Sequence, residues 1–206
     1  MSNVLVLHSS AGGATSVTRL LTADAITEIR RRDPAARIVE RDLAADPPPH
    51  LSPEGMAGVR TPNATTPAEI AARDLSDALI AELRDADTIV IGAPMYNFGL
   101  PSTLKAWFDH VLRAGVTFRY SEAGPEGLLK GKKVIVIEAR GGLYSEGPAQ
   151  AIDFQEPYLR QLLGFIGLTD VTFVRAEKIG FGPDAREAAI AGARAELSQL
   201  ALPLAA

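Results

Sequence analysis

Short unbroken apolar runs alternate along this chain with longer stretches whose apolar residues recur at helical spacing. The runs NVLVLH at 3–8, DTIVIGA at 87–93 and KKVIVIE at 132–138, with 37–43 and 170–174, read as strands. Helical periods occupy 16–32, the regions near 101–113 and 155–165, and 184–200. The strand runs are continuous rather than alternating, as expected of strands covered on both faces. Strand and helix taking turns predicts an α/β fold with a parallel sheet.

One stretch breaks the rhythm. Six of the 14 prolines fall within residues 47–67, which predicts a long irregular connection. Such connections are uncommon in compact domains unless they serve function. It ends in Thr66-Pro67-Ala68-Glu69, a capping box with proline at the first helical position, so a helix is expected to about residue 84. No repeat, low-complexity tract or linker divides the chain, and residues 1–206 are expected to form one domain.

Composition narrows the function. With 47% hydrophobic and 22% charged residues the chain is ordinary globular material, without the ~20 unbroken apolar residues of a membrane span. A net charge of −4 lacks the basic excess that nucleic acid requires. The densest basic patch, Arg30-Arg31-Arg32, closes a predicted helix, where cations complement the dipole. The absence of cysteine excludes disulfides, thiol nucleophiles and thiolate metal sites. The opening MSNVLVLHSS carries no basic leader before a long apolar stretch, so the cytoplasm is the expected compartment. His8, His50 and His110 read as surface or capping residues: no two stand at metal-ligand spacing, and no G-x-S-x-G elbow is present.

Ligands of open parallel sheets bind beyond the carboxyl ends of the strands, where the strand order reverses. Three strand-end loops are therefore the candidates. The first, Ser9-Ser10-Ala11-Gly12-Gly13-Ala14-Thr15-Ser16-Val17-Thr18, is rich in hydroxyls, has no lysine and opens into a helix. It matches neither nucleotide-loop pattern, G-x-x-x-x-G-K-[ST] or G-x-G-x-x-G, and suits a terminal monophosphate; a plain capped turn is the alternative. The second, Met95-Tyr96-Asn97-Phe98, offers stacking surface and amides for a flat heteroaromatic ring, or aromatic core. The third, Ala139-Arg140-Gly141-Gly142, allows close backbone approach, or an ordinary turn. A flat ring, a monophosphate and no acid–base or nucleophilic side chains point to a redox cofactor that carries its own chemistry, and FMN fits with the fewest additions.

The motifs APMYNF (93–98), AGVTFRY (114–120), GPEGLLKGKK (124–133), RGG (140–142) and LGFIGLTDV (163–171) follow one another over nearly the whole chain. In these it resembles the FMN-dependent NADH-azoreductase family, also described as FMN-dependent NADH:quinone oxidoreductases. The resemblance implies a flavodoxin-like three-layer sandwich, with a five-stranded parallel sheet in the order 2-1-3-4-5. It also implies non-covalent FMN, a homodimer, and NADH as electron donor. Ser10, Ser16, Val17 and Thr18 would hold the phosphate. Met95, Tyr96, Asn97 and Phe98 would hold the ribityl chain and ring, and Ala139, Arg140, Gly141 and Gly142 the ring's other edge. Val17 and Ala139 depart from the family's pattern, in which both positions are often polar. Phe118, Tyr120 and Arg60 would border the substrate pocket.

The activity so implied is reduction of quinones by two electrons and cleavage of azo compounds to amines, through two half-reactions at one ring face. Segments 47–67 and 116–131, both read as irregular, offer that face some cover, and a second copy of the chain would supply the rest. The main rival is a flavodoxin-type electron carrier without a substrate of its own, for which −4 is a weak docking charge. A flavin-binding regulator or storage protein is a second.

Overall fold

The computed structural model describes residues 1–61 and 63–200. Five strands, β1 (Asn3–His8), β2 (Arg37–Asp42), β3 (Thr88–Pro94), β6 (Lys133–Ala139) and β7 (Asp170–Ala176), form one parallel sheet ordered β2-β1-β3-β6-β7. Between β3 and β6 the chain forms a separate antiparallel hairpin, β4 (Phe118–Ser121) and β5 (Gly124–Gly127). The expected order 2-1-3-4-5 counted only parallel strands; the hairpin moves the last two labels. The helices are α1 (Val17–Arg32), α2 (Pro53–Arg60), α3 (Pro67–Asp85), α4 (Ser102–Val111), α5 (Glu156–Phe165) and α6 (Pro183–Gln199). None of the described helices is long and apolar enough to cross a membrane.

Side chains alternate across a strand, so each apolar run feeds two cores at once. Val4, Val6, Val90, Ile135, Ile137 and Val174 pack against α1 and α6. Leu5, Leu7, Ile89, Ile91, Val134 and Val136 pack on the other face against α3, α4 and α5, around Trp107 and Phe108. Each such fully buried aliphatic contributes about 1.5–3 kcal/mol. The first helix starts where Ser16 accepts the Arg19 amide at 3.3 Å, and it ends in the predicted basic cluster, where Glu28 holds Arg31 and Arg32. Both halves of the Thr66–Glu69 capping box are formed.

The proline-rich connection is not irregular throughout. Ser52 caps α2 within it, and α2 packs on α3 so closely that a Cβ on Gly58 would stand 2.3 Å from the Glu69 carbonyl oxygen. Arg73 donates to the Gly58 and Thr61 carbonyls, tying the far side; Pro62 lies outside the described residues. His110 is neither surface nor cap: it is buried, with Nε2 3.0 Å from the Pro49 carbonyl, and so anchors the same connection. Segment 116–131, also read as irregular, contains the hairpin. There Gly127 abuts Gly167, and a Cβ on Gly127 would fall 2.0 Å from the Gly167 nitrogen.

Alanine normally stabilises a helix interior by about 0.5–1 kcal/mol relative to glycine. Gly58→Ala is expected to do the opposite, because the clash with the Glu69 carbonyl outweighs the propensity gain. Thermal unfolding should show a loss of about 2 kcal/mol; an unchanged or raised melting temperature would show that α2 packs loosely on α3.

Candidate ligand site at the carboxyl edge of the sheet

Parallel strands deliver all their following loops to one edge, and three of them enclose a cavity of about 240 Å³. Ser10, Gly12, Thr15, Ser16 and Val17 line one side, Pro94, Met95 and Tyr96 a second, and Ala139 and Gly141 a third. Ile179 and Arg186, from the segment after β7, complete the wall. Ser10 also borders an adjoining depression of about 560 Å³, which reaches Arg19 and Asp42. Arg19 donates to Asp42 at 2.7 Å, and this hydrogen bond holds the Asp42 carboxyl down at about 2.

The first loop is built to present donors. The first intrahelical bond runs from the Leu20 amide to the Ser16 carbonyl, and Arg19 is taken by the Ser16 hydroxyl. The amides of Val17 and Thr18 therefore lie ahead of the helical ladder. Thr18 is buried behind Ser16, its hydroxyl 3.1 Å from that of Ser16, so it orients the neighbouring hydroxyl. Ser10 Oγ lies 3.3 Å from the Tyr96 hydroxyl, joining the first loop to the second.

The second loop turns sharply. Tyr96 and Gly99 exchange both backbone hydrogen bonds, and the two residues between them, Asn97 and Phe98, have φ of 49° and 71°. Hairpin turns of this hand favour Asn-Gly; a phenylalanine at positive φ is strained. The strain directs Phe98 outward, half exposed, edge-on to Tyr144 at 6.3 Å. Neither Asn97 nor Phe98 lines the cavity itself; they stand at its rim beside Tyr96.

At the third loop, alternation puts Glu138 and Arg140 on the face of Val134 and Val136, and Ala139 on the cavity side. The Arg140 side chain therefore turns away from the cavity: its guanidinium has no solvent exposure and lies among four acidic side chains. Glu138 is 2.5 Å away, Asp153 2.9 Å, Glu177 3.4 Å and Glu156 3.6 Å. Its backbone is also spent, the amide on Ala176 and the carbonyl on Ile179. Through its partners Arg140 fastens the surrounding loops. Glu177 accepts the Tyr144 and Ser145 amides at 2.8 and 3.0 Å, and Asp153 accepts those of Gln155 and Glu156. Gln155 in turn donates to the Ala93 carbonyl at 2.9 Å, behind the second loop. Burial pushes the Glu138 carboxyl up to about 8, against the pull of Arg140. Burial opposes charge at Glu177 too, yet the Ser145 hydroxyl, the Tyr144 amide and Arg140 keep it below the usual carboxylate range.

Gly141 faces the cavity, and a Cβ there would meet nothing within 4 Å, so the missing side chain leaves that wall open to a flat group. Gly142 instead lies against Tyr144. Of the three residues expected at a substrate pocket, Phe118 and Tyr120 lie together on β4, their rings edge to face at 5.6 Å, and Arg60 stands on α2. Phe118 is buried in the core, tilted against Phe165 at 4.5 Å, with its edge toward the exposed Tyr120. Tyr120 is 73% exposed on the hairpin, and Arg60 is exposed at the end of α2. Ile179 and Arg186 escaped sequence reasoning. The run KIGFG after β7 carried the same strand-end glycine signal as the other loops, whereas nothing local marked Arg186.

An open α/β sheet with its cavity among the loops of its central strands is a ligand-binding protein of the doubly wound class. A family model described as flavodoxin-like fold matches residues 2–201, and the chain belongs to that family. It is 62% identical over 202 residues to an FMN-dependent NADH:quinone oxidoreductase of Hyphomonas neptunium, covering 98% of this chain and 96% of that one. It is 52% identical over 200 residues to FMN-dependent NADH:quinone oxidoreductase 3 of Pseudomonas aeruginosa, covering 97% and 92%. The crystal structure of an azoreductase from Bacillus anthracis superposes with a TM-score of 0.89 at 30% identity, covering 97% and 98%.

A carboxyl held protonated in the fold makes the folded state bind more protons than the unfolded chain between pH 4.5 and about 8. Its stabilising contribution is whole below that window and is lost as pH rises through it. Denaturant unfolding of wild type and Glu138→Gln should therefore diverge: wild type should lose on the order of 4 kcal/mol relative to the variant between pH 5 and pH 8.5. A pH-independent difference would mean that Glu138 is ionised in the fold.

Proposed function

We propose that this chain is an FMN-dependent oxidoreductase that uses NADH to reduce quinones by two electrons and to cleave aromatic azo compounds to amines. The observation that carries the reading is the cavity itself, which sets a hydroxyl-rich, amide-rich loop at one end and small or flat-sided residues at the other. The names of the relatives and of the structural neighbour support the same reading.

The hydroxyls of Ser10 and Ser16 and the amides of Val17 and Thr18 would hold the FMN phosphate, with Thr18 orienting Ser16. Met95, Tyr96, Asn97 and Phe98 would flank the ribityl chain and ring on one side. Ala139, Gly141 and Gly142 would close the other, with Arg140 supporting them from behind. When bound, FMN supplies the redox chemistry, taking a hydride equivalent from NADH and returning two electrons to the acceptor. No side chain is required as an acid or base; the protein's part is to bind, orient and limit access by water. Tyr120 and Arg60, exposed on the hairpin and on α2, would meet the acceptor. A homodimer would cover the open side, where Phe154 and Phe181 are 62% and 67% exposed. The cytoplasm is the proposed compartment. An electron carrier without a substrate is less favoured, since its large partners are commonly recognised through strong acidity and the net charge is only −4.

Purified protein is expected to release intact FMN, not FAD, on denaturation. Initial rates with NADH at several quinone concentrations should give parallel lines, because donor and acceptor take turns at one face. Colourless protein that FMN cannot reconstitute would overturn the reading, and intersecting lines would overturn the single shared face. Light scattering should give twice the chain mass; a monomer with full specific activity on dilution would remove the dimer.

A further inference from the structure

We propose that Arg186 supplies the positive charge that the hydroxyl loop lacks, reaching the phosphate of FMN from the neighbouring helix; the inference rests on the cofactor reading above. A phosphate monoester carries about −1.5 to −2 charge at neutral pH. The loop from Ser9 to Thr18 contains no basic residue. Arg19, immediately after it, is already committed: Nη2 donates to Asp42 at 2.7 Å and to the Ser10 carbonyl at 3.2 Å. Its charge is matched by Asp42, and the pair borders the adjoining depression rather than the cavity.

Arg186 is the only charged side chain that lines the cavity among the described residues. Its place follows from the fold. Since β1 and β7 belong to one parallel sheet, α1 and α6 both begin at its carboxyl edge, and they pack side by side on one face. Asp24 and Arg194, 2.8 Å apart, fasten them further along. Arg186 therefore lines the same cavity as Ser10, Ser16 and Val17. The Val17 side chain is carbon only, so this position adds no side-chain donor beside its amide, and a guanidinium fork would supply both donors and charge.

Two features argue against a merely structural arginine. Its side chain is exposed and makes no hydrogen bond or ion pair among the described residues, and no acidic residue stands three or four positions from it on the helix. A cation near a helix N-terminus also opposes the dipole; Gly182 provides no side-chain cap, and Asp184 is the acidic residue of that first turn. The residue stands where helix stability disfavours it and where a dianion would favour it.

Riboflavin lacks the phosphate and shares everything else, so it separates the two ends of the cavity. Apoprotein of wild type, Arg186→Gln and Arg186→Lys would be titrated with FMN and with riboflavin, each binding event read by quenching of flavin fluorescence. Arg186→Gln should weaken FMN about tenfold or more, leave riboflavin unchanged, and reduce the salt dependence of FMN binding. Arg186→Lys should recover part of the loss. The melting temperature of the glutamine apoprotein should be equal or slightly higher, because an unpaired cation leaves a helix N-terminus. An unchanged FMN affinity, or an equal loss for both ligands, would overturn the assignment while leaving the cofactor reading intact. Failure of wild-type apoprotein to bind either flavin would overturn both.

Discussion

A guanidinium sealed from solvent among four acidic side chains holds the ligand edge of this protein together. A buried charge is tolerated only when paired and hydrogen-bonded, and stripping one partner from such a pair costs about 3–5 kcal/mol. That penalty makes the arrangement rigid. Arg140 cannot leave its pocket without stranding Glu177 and Asp153, and these two carboxylates carry the backbone amides of Tyr144, Ser145, Gln155 and Glu156. The third loop, the turn before α5 and the segment after β7 are thus tied to one another through a single guanidinium.

Rigidity of that kind is useful beside strain. The turn through Asn97 and Phe98 holds two side-chain-bearing residues at positive φ, a conformation that survives only where surrounding structure enforces it. Here the enforcement includes the Phe154 amide on the Phe98 carbonyl and Gln155 on Ala93, both on the segment that Asp153 fixes. A charge cluster on one face of β6 thereby helps to set the rim on the other side of β3. The hydroxyl loop needs less support, because Ser16 caps α1 and Ser10 leans on Tyr96.

Much of this was legible in the sequence, and the exceptions share a cause. Continuous apolar runs announced the parallel sheet, and Thr66 and Glu69 announced a helix start, because those signals are local. Helix α2 and the hairpin were not legible: each is short, and each is held by a distant glycine contact, Gly58 on Glu69 and Gly127 on Gly167. The three candidate loops follow from fold logic, whereas the face on which a single residue lies is harder to read from residue type. Arg140 follows Glu138 by two on a strand, and that parity alone puts both on the side of Val134 and Val136. Phe118 lies in the core beneath the exposed Tyr120, and Arg186, which no local pattern marks, lines the cavity.

The claim that Arg140 acts on the site from behind, through its carboxylates, is tested most directly by a double-mutant cycle on Arg140 and Glu177. FMN affinity of the apoprotein would be measured for Arg140→Gln, Glu177→Gln and the pair. Glu177 does not line the cavity, yet each single change should weaken FMN, and the double change should cost less than their sum by at least about 1 kcal/mol. A silent Glu177→Gln beside a damaging Arg140→Gln, with additive effects, would mean that Arg140 touches the ligand itself.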